Sequence, residues 1–351
     1  MTDFPTVPTT MRAAVLRAQM DLVVEVRRVP ALGSRDVLLE VSHCGVCGTD
    51  LHFVLEGWGR PDSIGGHEFS GRVVAVGSAV ERWKPGDEVV GGPSPSCGGC
   101  EYCRSRRPSL CTGKASAGEH SEYHGAFADY VLVREDAILA VPPGLSLRAA
   151  ALAEPLAVAL HALNQGGVRP GHRVLITGAG PIGTLSVAAA RAQGVTDIVV
   201  SEPHPLRRAL AERLGAVAVE PDTFVTPEHP SAIVDEPFDV VLECSGLAAA
   251  TEEALGQLKR GGTLVLVGAG ITSLSFRPSR ILLNELVITG AFNYDHDGFE
   301  RALELLADPD FPTDALIESP DVPLDGIFDA MRRLGAGELA AKVMIVPARP
   351  A

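Results

Sequence analysis

Residues 173–194 read RVLITGAGPIGTLSVAAARAQG. An apolar run, VLI, enters a glycine turn and leaves it in an alanine-rich stretch of helical composition. Gly178, Gly180 and Gly183 stand at the G-x-G-x-x-G spacing. The spacing alone also fits an ordinary glycine-rich strand-to-helix turn. A strand before it and a helix after it are the context in which it binds a dinucleotide. There the first glycine permits the tight turn, the second lets the backbone approach a pyrophosphate, and the third lets the helix lie close to the sheet. Orphan amides at the helix N-terminus then meet the phosphate charge. Gly178, Gly180, Pro181, Ile182 and Gly183 form the expected cofactor loop.

The same alternation continues outward from this turn. AEPLAVALHALNQGG, from 153, is an apolar helical repeat ending at paired glycines. DIVVSEP, from 197, is a strand and PLRRALAERLGA a helix. FDVVLECSG, GTLVLVG and NELVITGA add further buried strands. Strands alternating with helices predict a doubly wound α/β unit, a parallel sheet with covered faces, over 156–290. Glu202 closes the second strand. A carboxylate there can accept both adenosine ribose hydroxyls and repel the 2′-phosphate of NADP, and Ser201 obstructs neither cofactor. Arg207 and Arg208 follow, and either can pair with that phosphate or sit on an exposed helix face. NAD is the expected cofactor, with NADP left open.

Upstream the pattern is different. Residues 11–17, 21–28, 36–42 and 72–76 have strand composition, and FADYVLVRED adds a strand from 127. GSAVERWKPGDEVVG, 77–91, reads as hairpin-rich β structure. A β-rich domain carrying metal loops is expected over 1–155. The tail holds two helices, DHDGFERALELLAD and LDGIFDAMRRLGAGE, and a lone strand, AKVMIVP. A lone strand needs a sheet, so 291–351 is expected to return to the first domain.

Size and charge bound the function. A chain of 351 residues fits two domains, and 46% hydrophobic residues supply their cores. The net charge of −14, with no basic patch, argues against a nucleic-acid partner. RSRR, 104–107, reads as a solvated loop. MTDFPTVPTTMRAAVL lacks the basic start and apolar core of a secretory signal, and no apolar run is long enough to span a membrane. A cytoplasmic protein is expected. Seven cysteines, an odd count, suggest metal ligands plus spare thiols rather than a disulfide scaffold.

Cys97, Cys100, Cys103 and Cys111 form C-x2-C-x2-C-x7-C. Four thiolates close a tetrahedral shell, as in a structural zinc site, expected at about 93–113. An iron–sulfur cluster can use the same four ligands. CGVCGTDLH, 44–52, and GGHEFSG, 65–71, supply a second set. A thioredoxin-like pair would want CGVC to open a helix; here it follows a β-rich segment and precedes polar residues. Cys47, His67 and an acidic residue could instead hold a catalytic zinc with one open position.

These motifs together resemble the zinc-containing medium-chain alcohol dehydrogenase family, in its sorbitol and threonine dehydrogenase branch. CGVCGTDLH, GGHEFSG, the four-cysteine lobe, AEPLAVALHA and GAGPIG occur in that family's order along nearly the whole chain. The resemblance implies a GroES-like β domain and a Rossmann domain with the active site in the cleft between them. It implies two zinc ions per subunit. The catalytic one would be held by Cys47, His67 and one or both of Glu68 and Glu154, the latter replacing a cysteine of alcohol dehydrogenases. Cys44 would be a packed thiol. Thr49 resembles the hydroxyl that bonds the substrate alcohol, His52 the distal member of a proton relay, and Asp50 a residue that holds the loop.

The implied activity is reversible, NAD-linked oxidation of a secondary alcohol or polyol to the ketone by a homodimer or homotetramer. The alternatives are an amino-alcohol such as L-threonine, or a zinc-binding protein of this fold without dehydrogenase activity. Ser94 stands where threonine dehydrogenases have a histidine, and animal sorbitol dehydrogenases lack the full four-cysteine lobe. Trp58 and Arg60, in FVLEGWGRPDS, could edge the pocket or lie in a surface loop.

Overall fold

The computed structural model describes residues 7–91, 96–113, 125–295 and 297–347. Ser94 and the start of the expected cysteine lobe lie outside the described residues.

The chain forms an N-terminal β-rich domain and a parallel-sheet domain, the two units expected from the sequence. In the first, strand Asp36–Gly45 is the hub of a seven-stranded sheet. Strand Glu68–Val76 pairs with one of its edges in antiparallel register, and Tyr130–Arg134 pairs with it as well. The closing strand, Met344–Val346, also pairs with it, Ile345 opposite Cys44. Strands Thr10–Ala18, Asp21–Arg28 and Ser63–Ile64 make a separate three-stranded sheet. Within 77–91 only Glu88–Gly91 is a strand, so that segment is a loop carrying less β structure than its turn residues suggested.

The second sheet has six parallel strands. Its spatial order is Val217–Val219, Asp197–Ser201, Arg173–Thr177, Phe238–Glu243, Leu258–Leu266, Val287–Gly290. The order reverses between Arg173–Thr177 and Phe238–Glu243, and such a reversal opens a crevice at the carboxyl ends of the strands. Helices Ala248–Gly256 and Pro278–Asn284 belong to this layer too. Their short, irregular apolar spacing did not announce them.

One apolar core joins helix Ala153–Gln165, the inner face of this sheet and helix Gly298–Ala307. The first of these helices therefore crosses the expected boundary at 155/156. Among the described residues, no helix is long and apolar enough to cross a membrane.

Candidate active site

The glycine turn has the shape that its sequence requires. Gly178 has φ +89°, and a Cβ on Gly183 would lie 1.9 Å from the Gly178 carbonyl oxygen. A Cβ on Gly180, by contrast, would meet nothing within 4 Å. The open space beside Gly180 lies at the N-terminus of helix Pro181–Ala192, for which Gly180 is the cap. This is a cradle that an anionic pyrophosphate fits.

Glu202 is buried against the turn. Its Oε2 accepts from Ala179 N at 2.7 Å and its Oε1 from His204 N at 2.9 Å. The arginines that might have met a 2′-phosphate are engaged elsewhere. Arg207, expected at the cofactor, donates to the carbonyls of Leu334 at 2.7 Å and Leu339 at 3.2 Å. Arg208 donates to the Glu202 and Pro203 carbonyls and pairs with Glu220 at 2.6 Å.

CGVC does open a helix, contrary to the sequence reading. Cys47 is the N-cap of helix Gly48–Leu55, and Asp50 Oδ2 accepts the Cys47 N–H at 2.9 Å. A carboxylate three residues into the helix reaching back to the cap fixes the first turn. Cys44 is fully buried, and burial pushes its thiol well above the usual range, so it is packed rather than reactive. Both cysteines are free.

The capped turn aims Cys47 at the start of strand Glu68–Val76. Ligand atoms of Cys47, His67 and Glu68 all lie within 4.8 Å of one another. Glu68 is wholly buried; its Oε1 accepts from Lys342 Nζ at 2.7 Å, while Oε2 has no partner. A buried, unpartnered carboxylate oxygen beside a thiol and an imidazole is a donor set that fits a divalent cation such as zinc. Burial alone would pull the His67 imidazole down. The neighbouring Asp50 carboxylate, with Cys47 and Glu154, outweighs it and holds the ring well above its ordinary pKa.

Glu154, in the first turn of helix Ala153–Gln165, stands outside this trio but within its field. Burial, opposed by His67 and reinforced by Glu68, raises its carboxyl to about 7. Thr49 Oγ1 lies 3.7 Å from Cys47 Sγ. His52, one turn on, stacks on Trp58 with ring centroids 4.4 Å apart. Its Nδ1 lies 2.9 Å from Glu56, out of hydrogen-bond alignment.

The thiols of Cys97, Cys100, Cys103 and Cys111 form the second group. Sγ–Sγ separations are 3.5 Å for Cys100–Cys103 and 3.9 Å for Cys97–Cys103. A tetrahedron with metal–sulfur bonds of about 2.3 Å has edges of about 3.8 Å, so the four thiols fit a closed zinc shell. Backbone N–H groups of Cys103 and Thr112 hold the Cys100 thiol down at about 5. Desolvation and the neighbouring sulfurs push Cys103 up to about 11. The RSRR stretch is not merely solvated: Arg106 pairs with Asp297 at 2.7 Å, and Arg107 approaches Asp295 at 3.4 Å.

Comparison with known proteins agrees with this geometry. The family described as "Alcohol dehydrogenase GroES-like domain" matches residues 33–143, and "Zinc-binding dehydrogenase" matches 181–308. The sorbitol dehydrogenase of Bacillus subtilis (strain 168) is 34% identical, covering 98% of this chain and 99% of its own. The chain belongs to the zinc-containing medium-chain dehydrogenase/reductase superfamily. This medium-chain enzyme is a zinc-dependent, NAD(P)-linked oxidoreductase. Its fold is shared by 2R,3R-butanediol dehydrogenase from Bacillus subtilis, with 30% identity, TM-score 0.83, and coverage of 96% and 100% of the two chains. A zinc-binding dehydrogenase from Sinorhizobium meliloti 1021 bound to NADP has 32% identity and TM-score 0.82, covering 97% and 100%.

Sequence reasoning missed three polar residues of this medium-chain dehydrogenase. Lys342 is buried, donating to Glu68 and to Val46 O at 3.1 Å; its isolation as the one charge in AKVMIVP was the available signal. Glu243, at the switch point, accepts from Ser245 N at 2.8 Å, Gly246 N at 3.1 Å and Thr177 Oγ1 at 3.3 Å. It shapes the loop that faces the glycine turn. Asp295 gave no sequence signal.

Proposed function

We propose that the protein oxidises a secondary alcohol or polyol to the ketone, reversibly, with NAD as the preferred hydride acceptor. The observation that carries the reading is the trio Cys47, His67 and Glu68, with ligand atoms within 4.8 Å of one another and one buried Glu68 oxygen left without a hydrogen-bond partner. When bound, zinc supplies Lewis acidity toward an alcohol or carbonyl oxygen, and the nicotinamide supplies the hydride chemistry.

The chain's own residues do the rest. Cys47 and His67 would hold the ion, together with Glu68, Glu154 or both. Thr49, beside Cys47, accepts the hydroxyl proton of the substrate while donating its own onward. His52 completes the transfer to solvent, since an imidazole can accept a proton at one nitrogen and donate one from the other. Cys97, Cys100, Cys103 and Cys111 hold a second, structural ion. Gly178, Gly180, Pro181, Ile182 and Gly183 take the pyrophosphate, and Glu202 takes the ribose. The engagement of Arg207 and Arg208 away from a phosphate supports NAD over NADP.

The relatives named for sorbitol and 2R,3R-butanediol support the substrate class and the sorbitol dehydrogenase-like branch, since both alcohols carry adjacent secondary hydroxyls. We place the catalytic domain at 1–155 with 291–351 and the dinucleotide domain at 156–290, the first boundary falling inside helix Ala153–Gln165, which bridges the two. The pairing of Met344–Val346 with Asp36–Gly45 supports that return of the chain. A homo-oligomer is supported by the edge strand Val287–Gly290 and the exposed Leu282 and Leu283 before it, because open sheet edges template pairing. Solution mass should exceed that of one chain; a monomer at micromolar concentration contradicts it.

The test of function is a panel of polyols, secondary alcohols and amino alcohols with each nicotinamide cofactor. Reduction of NAD by secondary alcohols is expected. Turnover confined to amino alcohols would reassign the substrate.

A further inference from the structure

Asp295 lies where three parts of the molecule meet. Its Oδ1 accepts from Ser109 Oγ at 2.5 Å and from Ser109 N at 3.3 Å. Its Oδ2 lies 3.4 Å from Arg107 Nε and 3.7 Å from His161 Nδ1. Arg107 and Ser109 belong to the cysteine lobe, between Cys103 and Cys111. His161 belongs to helix Ala153–Gln165, two turns beyond Glu154 on the same face. Arg106 and Asp297 add a second ion pair between the lobe and the same loop.

The residue before Asp295 faces the other way, into the molecule. Tyr294 packs edge-on against Phe299 with ring centroids 5.0 Å apart. It fills the contact between two helices: a Cβ on Gly298 would lie 3.0 Å from Tyr294 Cβ and 3.7 Å from Ala157 Cβ. Tyr294 is half-buried and packs on the core that includes Ala157, three residues on from Glu154 in the same helix. Tyr294 thus stands beside the acidic side of the candidate catalytic site, while its neighbour is gripped from outside by the lobe.

We propose that Asp295 is a positioning residue through which the four-cysteine lobe fixes Tyr294 at the wall of the catalytic cleft. The cleft's role rests on the function proposed above; the mechanical link does not. Ser109 is two residues from Cys111, so the order of the cysteine cluster is passed to Ser109, from its hydroxyl and amide to Asp295, and along one peptide unit to Tyr294.

The experiment compares the zinc-loaded parent with Asp295→Ala, Asp295→Glu and Ser109→Ala. Backbone hydrogen exchange and alcohol kinetics are measured on each. Exchange in 291–298 should rise about tenfold in Asp295→Ala and less in Ser109→Ala, the scale of one lost hydrogen bond to a charged group, with 173–201 unchanged. KM for the alcohol should rise by about the same factor, while kcat and KM for NAD stay near the parent values, and Asp295→Glu should recover part of the loss. Unchanged exchange in 291–298 overturns the proposal. So does a fall in Tm with KM unmoved, which is the mark of a plain weld. If Asp295→Ala does not fold, Ser109→Ala carries the same two readouts. If exchange responds but the parent oxidises no alcohol, the link stands and the substrate reading falls.

Discussion

Lys342 and Glu68 form an ion pair that is almost wholly out of solvent. The pair engages one Glu68 oxygen and leaves the other without a hydrogen-bond partner, so a charge brought from just before the closing strand holds a carboxylate that stands beside Cys47 and His67. Breaking such a pair from one side strands a buried charge, which costs about 3–5 kcal/mol. Lys342→Met should therefore lose stability on that scale in denaturant unfolding, and adding Glu68→Gln should restore much of it. A single variant as stable as the parent would show that the pair contributes nothing. For Thr49, replacement by valine keeps the shape and removes the hydroxyl. Turnover should fall by about 10²–10⁴, the range of a lost proton-transfer group, with zinc content and NAD binding retained. His52→Gln should be milder and should shift the pH dependence of oxidation; parental turnover in Thr49→Val would end the relay. At this scale, Cys47, His67 and the four lobe cysteines were legible because ligand chemistry concentrates at short spacings. Lys342 was not, because its partner lies 274 positions away.

Among the elements, the glycine turn was fully legible because its strand, loop and helix are contiguous. Gly183→Ala tests it: the added Cβ falls on the Gly178 carbonyl, so the turn must open. NAD affinity should drop tenfold or more, about 1.4 kcal/mol, with zinc content unchanged; unaltered NAD binding would remove the turn from the cofactor site. Helix Gly48–Leu55 escaped the sequence reading because it is only eight residues long and uses a cysteine as its cap. The apolar periodicity that identifies longer helices has no room to appear there. Among its described residues the cysteine lobe has little regular structure of its own, a four-residue helix and a 3-10 turn. An ion held by the four thiols would supply folding free energy to it, since metal binding free energy is folding free energy in such modules. Cys100→Ser should bind one zinc fewer per chain and unfold at lower temperature. Two zinc ions retained would contradict the lobe assignment.

Across the whole molecule, the closing strand Met344–Val346 lies on strand Asp36–Gly45, so the two ends of the sequence meet in one sheet. That return was anticipated because a solitary strand at the end of the chain has no partner nearby. The contacts between the two halves were not visible. Arg207 reads locally as a helix-surface or phosphate-binding arginine, but its partners are carbonyls of Leu334 and Leu339, more than a hundred residues on. With that arginine engaged, Glu202 is the residue we propose to set cofactor choice. Glu202→Gln should narrow the ratio of kcat/KM for NAD over NADP, and a ratio that already favours NADP in the parent would overturn the assignment.

The central claim is that Cys47, His67 and the adjoining carboxylates hold a zinc that makes the cleft an alcohol dehydrogenase site. It is tested most directly by following reduced nicotinamide formation from 2R,3R-butanediol and sorbitol with NAD, using zinc-replete parent and Cys47→Ser side by side. The parent should oxidise at least one of the two alcohols. The variant, folded and carrying one zinc instead of two, should oxidise neither. Equal turnover in both proteins, or none in a parent that carries two zinc ions, would contradict it.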